Sequence, residues 1–267
     1  MMLCTCIGAF WGVWGVVIGR YIADFLSLGY TAKILSNDVC NIKVADYLTK
    51  SEKIALWHYS IFVGASSAMN QLVYYIDVSL IVAIIKNADD ISIYKIGTMI
   101  PNALQFIPVS IIVAVLPSII YNKDNITLTK KYLKKIYLFM FGCAGVITVG
   151  ILVLAPIIIT IISGKEYMDS VPVMRILILG FFFSATFRTI SVNVLSAFRR
   201  VRYGFFISVT SAITDIVFNY IFIKAFGMIG AAYATLLVDI VTATLSFGYV
   251  LYLLRRGTIN ALNKKTA

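Results

Sequence analysis

The run IYLFMFGCAGVITVGILVLAPIIITII, residues 136–162, contains no charged side chain. At ~1.5 Å rise per residue, roughly 20 apolar residues in a helix cross the hydrocarbon core of a bilayer. Lys130, Lys131, Lys134 and Lys135 stand just before it, the basic flank expected where a span meets the membrane surface. Working outward, six more stretches have the same character: 7–28, 54–85, 91–120, 172–198, 203–225 and 228–254. The whole chain is 60% hydrophobic and 13% charged, with a mean hydropathy of +0.92, so water is not the main solvent of this fold. Backbone groups inside a bilayer must be satisfied within the protein, and segments this long exclude barrel strands. The expected fold is all-α, a polytopic membrane bundle of seven helices.

Lys and Arg concentrate in every second connection. One group is Lys33, Lys43, Lys50 and Lys53; a second is Lys123, Lys130, Lys131, Lys134 and Lys135. Arg199, Arg200 and Arg202 form the third, and Arg255, Arg256, Lys264 and Lys265 the fourth. Positive residues near span ends stay on the cytoplasmic side, which puts the C-terminus inside and Met1 outside. The net charge of +11 then reads as a topology signal with attraction to anionic lipid, and not as a nucleic-acid surface.

The chain divides into four segments: 1–30 as a first transmembrane helix ending an N-lobe, 31–53 as a cytoplasmic linker, 54–254 as a six-helix transport lobe and 255–267 as a cytoplasmic tail. Met1 so close to a span, on the outer side, suggests that further spans precede it. Gly8, Gly12, Gly15 and Gly19 give the first helix a close-packing face. Cys4, Cys6, Cys40 and Cys143 have neither metal nor disulfide spacing, and read as free thiols.

Polar side chains inside spans are costly unless they face protein or a hydrated cavity. Ser66, Asn70, Tyr74 and Asp77 fall at i, i+4, i+8 and i+11, along one face of the second span. Ser208, Ser211, Asp215 and Asn219 repeat this on the sixth, and Thr235, Asp239, Thr242 and Ser246 on the seventh. The fifth carries Ser184, Arg188 and Ser191. Three aspartates and an arginine at membrane depth mark a polar pathway. Asp77, Asp215 and Asp239 are coupling-ion candidates, and either Asp77 or Asp215 is a possible static partner of Arg188. The Arg188 fork suits a phosphate or carboxylate. Asn70, Tyr74 and Asn219 complete the substrate path. Arg20 and Asp24 read as an exposed pair, and Arg175, Lys95 and Lys224 as interfacial anchors. Pro101, Pro108 and Pro117 are expected to bend the third span. One histidine, no Cys/His cluster and no phosphate-cradling loop give no enzyme, cofactor or metal to expect.

Several short segments are similar to a known group. They are Asn70-Gln-Leu-Val-Tyr-Tyr-Ile-Asp77, Ile100-Pro-Asn-Ala-Leu-Gln-Phe-Ile-Pro108 and Gly164-Lys-Glu-Tyr167, then Asn193-Val-Leu-Ser-Ala197 and Phe226-Gly-Met-Ile-Gly-Ala-Ala-Tyr-Ala-Thr235. In this order they resemble polysaccharide (O-antigen) flippases of the multidrug/oligosaccharidyl-lipid/polysaccharide exporter superfamily, over the second to seventh spans. The resemblance implies two six-helix lobes around an alternating cavity in the bacterial inner membrane. The substrate would be a polyprenyl-diphosphate-linked oligosaccharide, with a proton or cation as coupling ion. Activity would need an N-terminal half or a homodimer. Rival expectations are a cation-coupled drug exporter and a non-transporting scaffold of the polysaccharide assembly machinery.

Overall fold

The computed structural model describes residues 12–39, 49–121, 126–198 and 200–256. All regular elements among them are helical: α1 Gly12–Val39, α2 Lys50–Ile85, α3 Ala88–Leu104, α4 Phe106–Tyr121, α5 Ile126–Ile162, α6 Ser170–Phe183, α7 Thr189–Ala197 and α8 Val201–Arg256. A short 3₁₀ turn, Lys165–Tyr167, precedes α6, and a π-helical turn, Ser184–Arg188, joins α6 to α7. The expected all-α membrane bundle is the architecture found. Cys4, Cys6, Cys40, Gly8, most of the 31–53 linker after Val39 and the tail beyond Arg256 lie outside the described residues.

Among the described residues, four stretches are long and apolar enough to cross a membrane: Ala88–Tyr121, Thr127–Ile162, Ser170–Ala197 and the 55-residue Val201–Arg255. The last holds two crossings on either side of a break. α2 is 36 residues long and covers the second expected span, but its Ser, Asn and Gln residues make it less apolar. α1 continues to Val39, past the Tyr30 end expected from hydropathy.

The chain forms two compact units, 1–57 and 58–267. In the first, Gly15, Gly19 and Ala23 make the buried line of α1, and Arg20 bonds Asp24 at its surface (3.3 Å). Thr49 starts α2: its N–H and hydroxyl both donate to Glu52 Oε2, at 2.8 and 2.7 Å, a variant of the capping box. These bonds hold the Glu52 carboxyl below the usual carboxylate range.

In the larger unit α6 is central, packed on α3, α5 and α8. Its apolar window, continued through α7, is 61% buried, against 17% for the α3–α4 and α5 windows; α6 is therefore interior, while α3–α4 and α5 lie at the periphery of this unit. Val146, Val153 and Ile161 line the outer side of α5, each more than two-thirds exposed, a surface that only lipid would solvate well. Lys86 takes a left-handed φ of 56° and ends α2. Asn87 then caps α3 by accepting from the Asp89 N–H (3.2 Å), with Asp89 and Asp90 in the first turn, where the helix dipole favours them.

The third span is interrupted once, at Gln105, while Pro101 and Pro117 lie inside helices that continue past them. Pro108 has no N–H for the Leu104 carbonyl, and the span breaks beside it, at Gln105, into α3 and α4. Pro156 in α5 likewise frees the Leu152 carbonyl. Arg175 fills the vacancy: its Nε donates to Leu152 O at 3.1 Å. Arg175, expected as an interfacial anchor, thus also ties two helices together. Arg175→Leu should cost about 1–3 kcal/mol by orphaning that carbonyl, measured by denaturant titration in detergent. Adding Pro156→Ala should restore most of the loss, because the helix then supplies its own donor.

The sixth and seventh spans are the arms of a hairpin within α8. Gly227 adopts φ 59°, ψ −138°, a left-handed conformation that favours glycine. Beyond it Gly230 passes so close to the Phe222 carbonyl that a Cβ there would overlap it. Far from the turn Tyr203 and Tyr249 stack with centroids 4.0 Å apart, so the arms run antiparallel along their length.

Candidate functional site

The hairpin determines which polar residues meet. Asp215 and Asp239 each stand twelve residues from Gly227, Asn219 and Thr235 each eight, and Ser208 and Ser246 each nineteen. In antiparallel arms equal separation means equal depth, so the two stripes match level by level. Ser208, Ser211, Asp215, Asn219, Thr242 and Ser246 are all buried. Asn219 Nδ2 donates to Asp215 Oδ1 at 3.0 Å, and the fold-back at Gly227 sets Asp215 level with Asp239 on the facing arm.

Arg188 meets this level from α6–α7. The π-helical turn that ends on it has the Thr189 N–H bonded to Ser184 O. Such a turn inserts one extra residue into the helical register and so re-aims the side chains of α7. Arg188 Nη1 donates to Asp239 Oδ1 at 3.2 Å, and Nη2 to Asn70 Oδ1 of α2, also at 3.2 Å. The Arg188 and Asp239 side chains are 25% and 16% exposed, so the pair is only partly screened. Among the described residues the cation thus has Asp239 as a carboxylate partner, an aspartate that the sequence offered as a coupling-ion candidate and not as the partner of Arg188. Gly180 of α6 makes room: a Cβ there would lie 2.8 Å from Asp239 Oδ2. Ser191, on the same stripe, shares a 2.7 Å hydrogen bond with Tyr137 of α5. Phe187 and Phe247 pack on the Tyr137 ring at 6.5 and 5.1 Å.

Of the expected site residues, Arg188, Asn70 and Asp239 converge from three helices, and Asp215 with Asn219 forms an adjoining buried pair. Tyr74 and Asp77 lie on α2, one and two turns beyond Asn70, but their side chains are outside the described residues. Asp239 also borders a cavity of about 480 Å³ between α3, α6 and the second arm of α8. Its α3 wall, including Lys95, Asn102 and Gln105, was not expected from the sequence; a polar stripe is present there, but the prolines dominate that stretch. Lys95 thus faces a cavity, and does not serve only as an anchor. Lys224, expected at the interface, hydrogen-bonds the Tyr220 hydroxyl and lies over its ring. Among the described residues no group of His, Cys, Asp and Glu is arranged to hold a metal.

This is the geometry of a multi-pass membrane protein with a charged site buried among its helices. The fold is that of known transporters. It superimposes on the outward-facing conformation of a multidrug resistance MATE family transporter of the MOP superfamily, at a TM-score of 0.62, 20% identity and coverage of 75% of this chain and 45% of the other. It matches equally a MOP superfamily transporter from Pyrococcus furiosus, described as having a binding pocket of reverse polarity that suggests a different function (TM-score 0.61, 20% identity, same coverage). The chain thus spans under half the length of either. No protein-family model and no curated protein matches it.

Proposed function

We propose that this chain is a transport lobe of the MOP type that helps move a polyprenyl-diphosphate-linked oligosaccharide across the bacterial inner membrane. Residues 54–254 form the lobe, 31–53 the cytoplasmic linker and 1–30 the last helix of a preceding lobe. A second lobe, covalent or from another copy, closes the cavity, and the C-terminal tail at 255–267 faces the cytoplasm. The observation that carries this reading is the Arg188–Asp239 pair, a cation and a carboxylate joined across membrane helices beside a cavity. Buried ionisable groups in a bilayer are expensive and are retained for use.

Mechanistically, Asp239 holds Arg188 while its carboxylate is free. A proton or cation taken up at Asp239, or at neighbouring Asp215 or Asp77, weakens that hold and releases the guanidinium fork to the substrate's diphosphate. Asn70, Tyr74 and Asn219 line the path of the sugar. The experiment is glycan export in cells producing the full chain: Arg188→Gln combined with Asp77→Asn should abolish it.

A second reading, a cation-coupled drug exporter, is favoured by Asp239, Phe181 and Met99 lining the same cavity. Efflux of a cationic dye that survives in Arg188→Gln but fails in Asp239→Asn would select it. Lost assembly of partner proteins with normal translocation would instead indicate a scaffold.

A further inference from the structure

Lys95, Thr98, Asn102 and Gln105 recur at i, i+3, i+7 and i+10, one face of α3. All four line the 480 Å³ cavity, and the break at Gln105 ends the helix where the stripe ends. Across from them stand Thr235 and Asp239 of α8. The volume lies in the roughly 300–1,000 Å³ range of small-ligand sites, room for a sugar unit or two but not for a whole oligosaccharide.

The lining has a definite chemistry. Lys95 offers three N–H donors and no acceptor, while the Asn102 and Gln105 amides donate and accept side by side. Thr98 donates its hydroxyl to Lys95 O (2.8 Å) and so presents acceptor lone pairs. The Asp239 charge is already answered by Arg188, whereas Lys95 has no ion-pair partner among the described residues. The uncompensated charge on the cavity is therefore one cation, next to a row of groups that match hydroxyls.

We infer that this cavity binds one acidic sugar unit, with the anionic group on the Lys95 ammonium and ring hydroxyls on Asn102 and Gln105. The inference rests on the transport reading and names the part of the substrate that this wall recognises. It gives the lobe two cations with separate tasks: Arg188 exchanges with Asp239, and Lys95 selects.

The test uses the full chain in lipid nanodiscs and equilibrium binding of radiolabelled glucose, glucuronate and glucose 1-phosphate. One charge-assisted contact is worth about tenfold in affinity, so at least one acidic probe should bind about tenfold more tightly than glucose. Whether carboxylate or phosphate is preferred identifies the source of the anion. Lys95→Gln should bring the acidic probes down to the level of glucose, Lys95→Arg should restore them, and Asn102→Ala should weaken all three together. Equal binding of glucose and both acidic probes, no saturable binding of any of them, or a preference that survives Lys95→Gln would overturn the inference. A preference lost in Arg188→Gln but kept in Lys95→Gln would also overturn it, and would leave the transport reading intact. Normal sugar selection in a chain that translocates no lipid-linked glycan would support this site and reject that reading.

Discussion

Truncating Arg188 to alanine is expected to lower the stability of the bundle by about 3 kcal/mol, the lower part of the range for breaking a buried ion pair. The physical reason is the carboxylate left behind. Asp239 would be left at membrane depth over Gly180 with no cation to answer it, so that it must either stay charged without a partner or take up a proton. Partial exposure of both side chains keeps the loss from being larger. A double replacement, Arg188→Met with Asp239→Leu, removes both charges and should regain most of that stability, because an apolar pair of similar volume needs no solvation. Chemical denaturation in detergent measures all three proteins. Translocation should stay absent in the double variant despite its recovered fold, separating a coupling role from a merely structural ion pair. A stable double variant that still transports would show the pair to be structural.

A second large effect is expected at Gly230. Valine there should prevent the α8 hairpin from closing, since its Cβ would occupy the place of the Phe222 carbonyl, and backbone on both sides cannot yield. A loss above about 4 kcal/mol belongs to this kind of steric conflict, so the protein should fail to accumulate in the membrane. Alanine should fail as well, because the conflict begins at Cβ. Gly248, on the outer arm with open space around it, is the matched control. Gly248→Ala should be neutral or gain up to about 1 kcal/mol from helix propensity. Fluorescence-detected size exclusion of the three variants reads the outcome directly, and an undisturbed Gly230→Val protein would mean that the turn is built differently.

The spans were legible because hydropathy in a bilayer has one structural meaning: twenty apolar residues must satisfy their own backbone, and only a helix does so. The polar stripes were legible too, since 3.6 residues per turn places Asn70, Asp215 and Asp239 on definite faces. Their partners were less so. Which aspartate holds Arg188 depends on a π-helical turn at Ser184–Arg188 and on the exact fold-back at Gly227. The first is a backbone register set by tertiary packing, with no residue signature. The second was available in principle, because the equal separations of Asp215 and Asp239 from Gly227 align them once the hairpin is recognised. The Arg175 tie was hidden for a related reason: a carbonyl freed by Pro156 can be answered from any neighbouring helix, and sequence spacing does not say which. The cavity wall of α3 is harder to read, because Pro101 and Pro108 in the same stretch signal bending, and Lys95, Thr98, Asn102 and Gln105 become a surface only once α6 and α8 stand opposite them.

The central claim is that the Arg188–Asp239 pair couples ion uptake to movement of a diphosphate-linked glycan. Its most direct test is leaflet-resolved translocation of a fluorescent polyprenyl-diphosphate sugar in membrane vesicles containing the full chain, with and without an imposed proton or sodium gradient. The account predicts gradient-dependent translocation by the native protein, none by Arg188→Gln with Asp77→Asn, and residual movement without gradient dependence in Asp239→Asn. Native rates in the Arg188→Gln, Asp77→Asn vesicles would contradict it, as would an undiminished gradient response in Asp239→Asn.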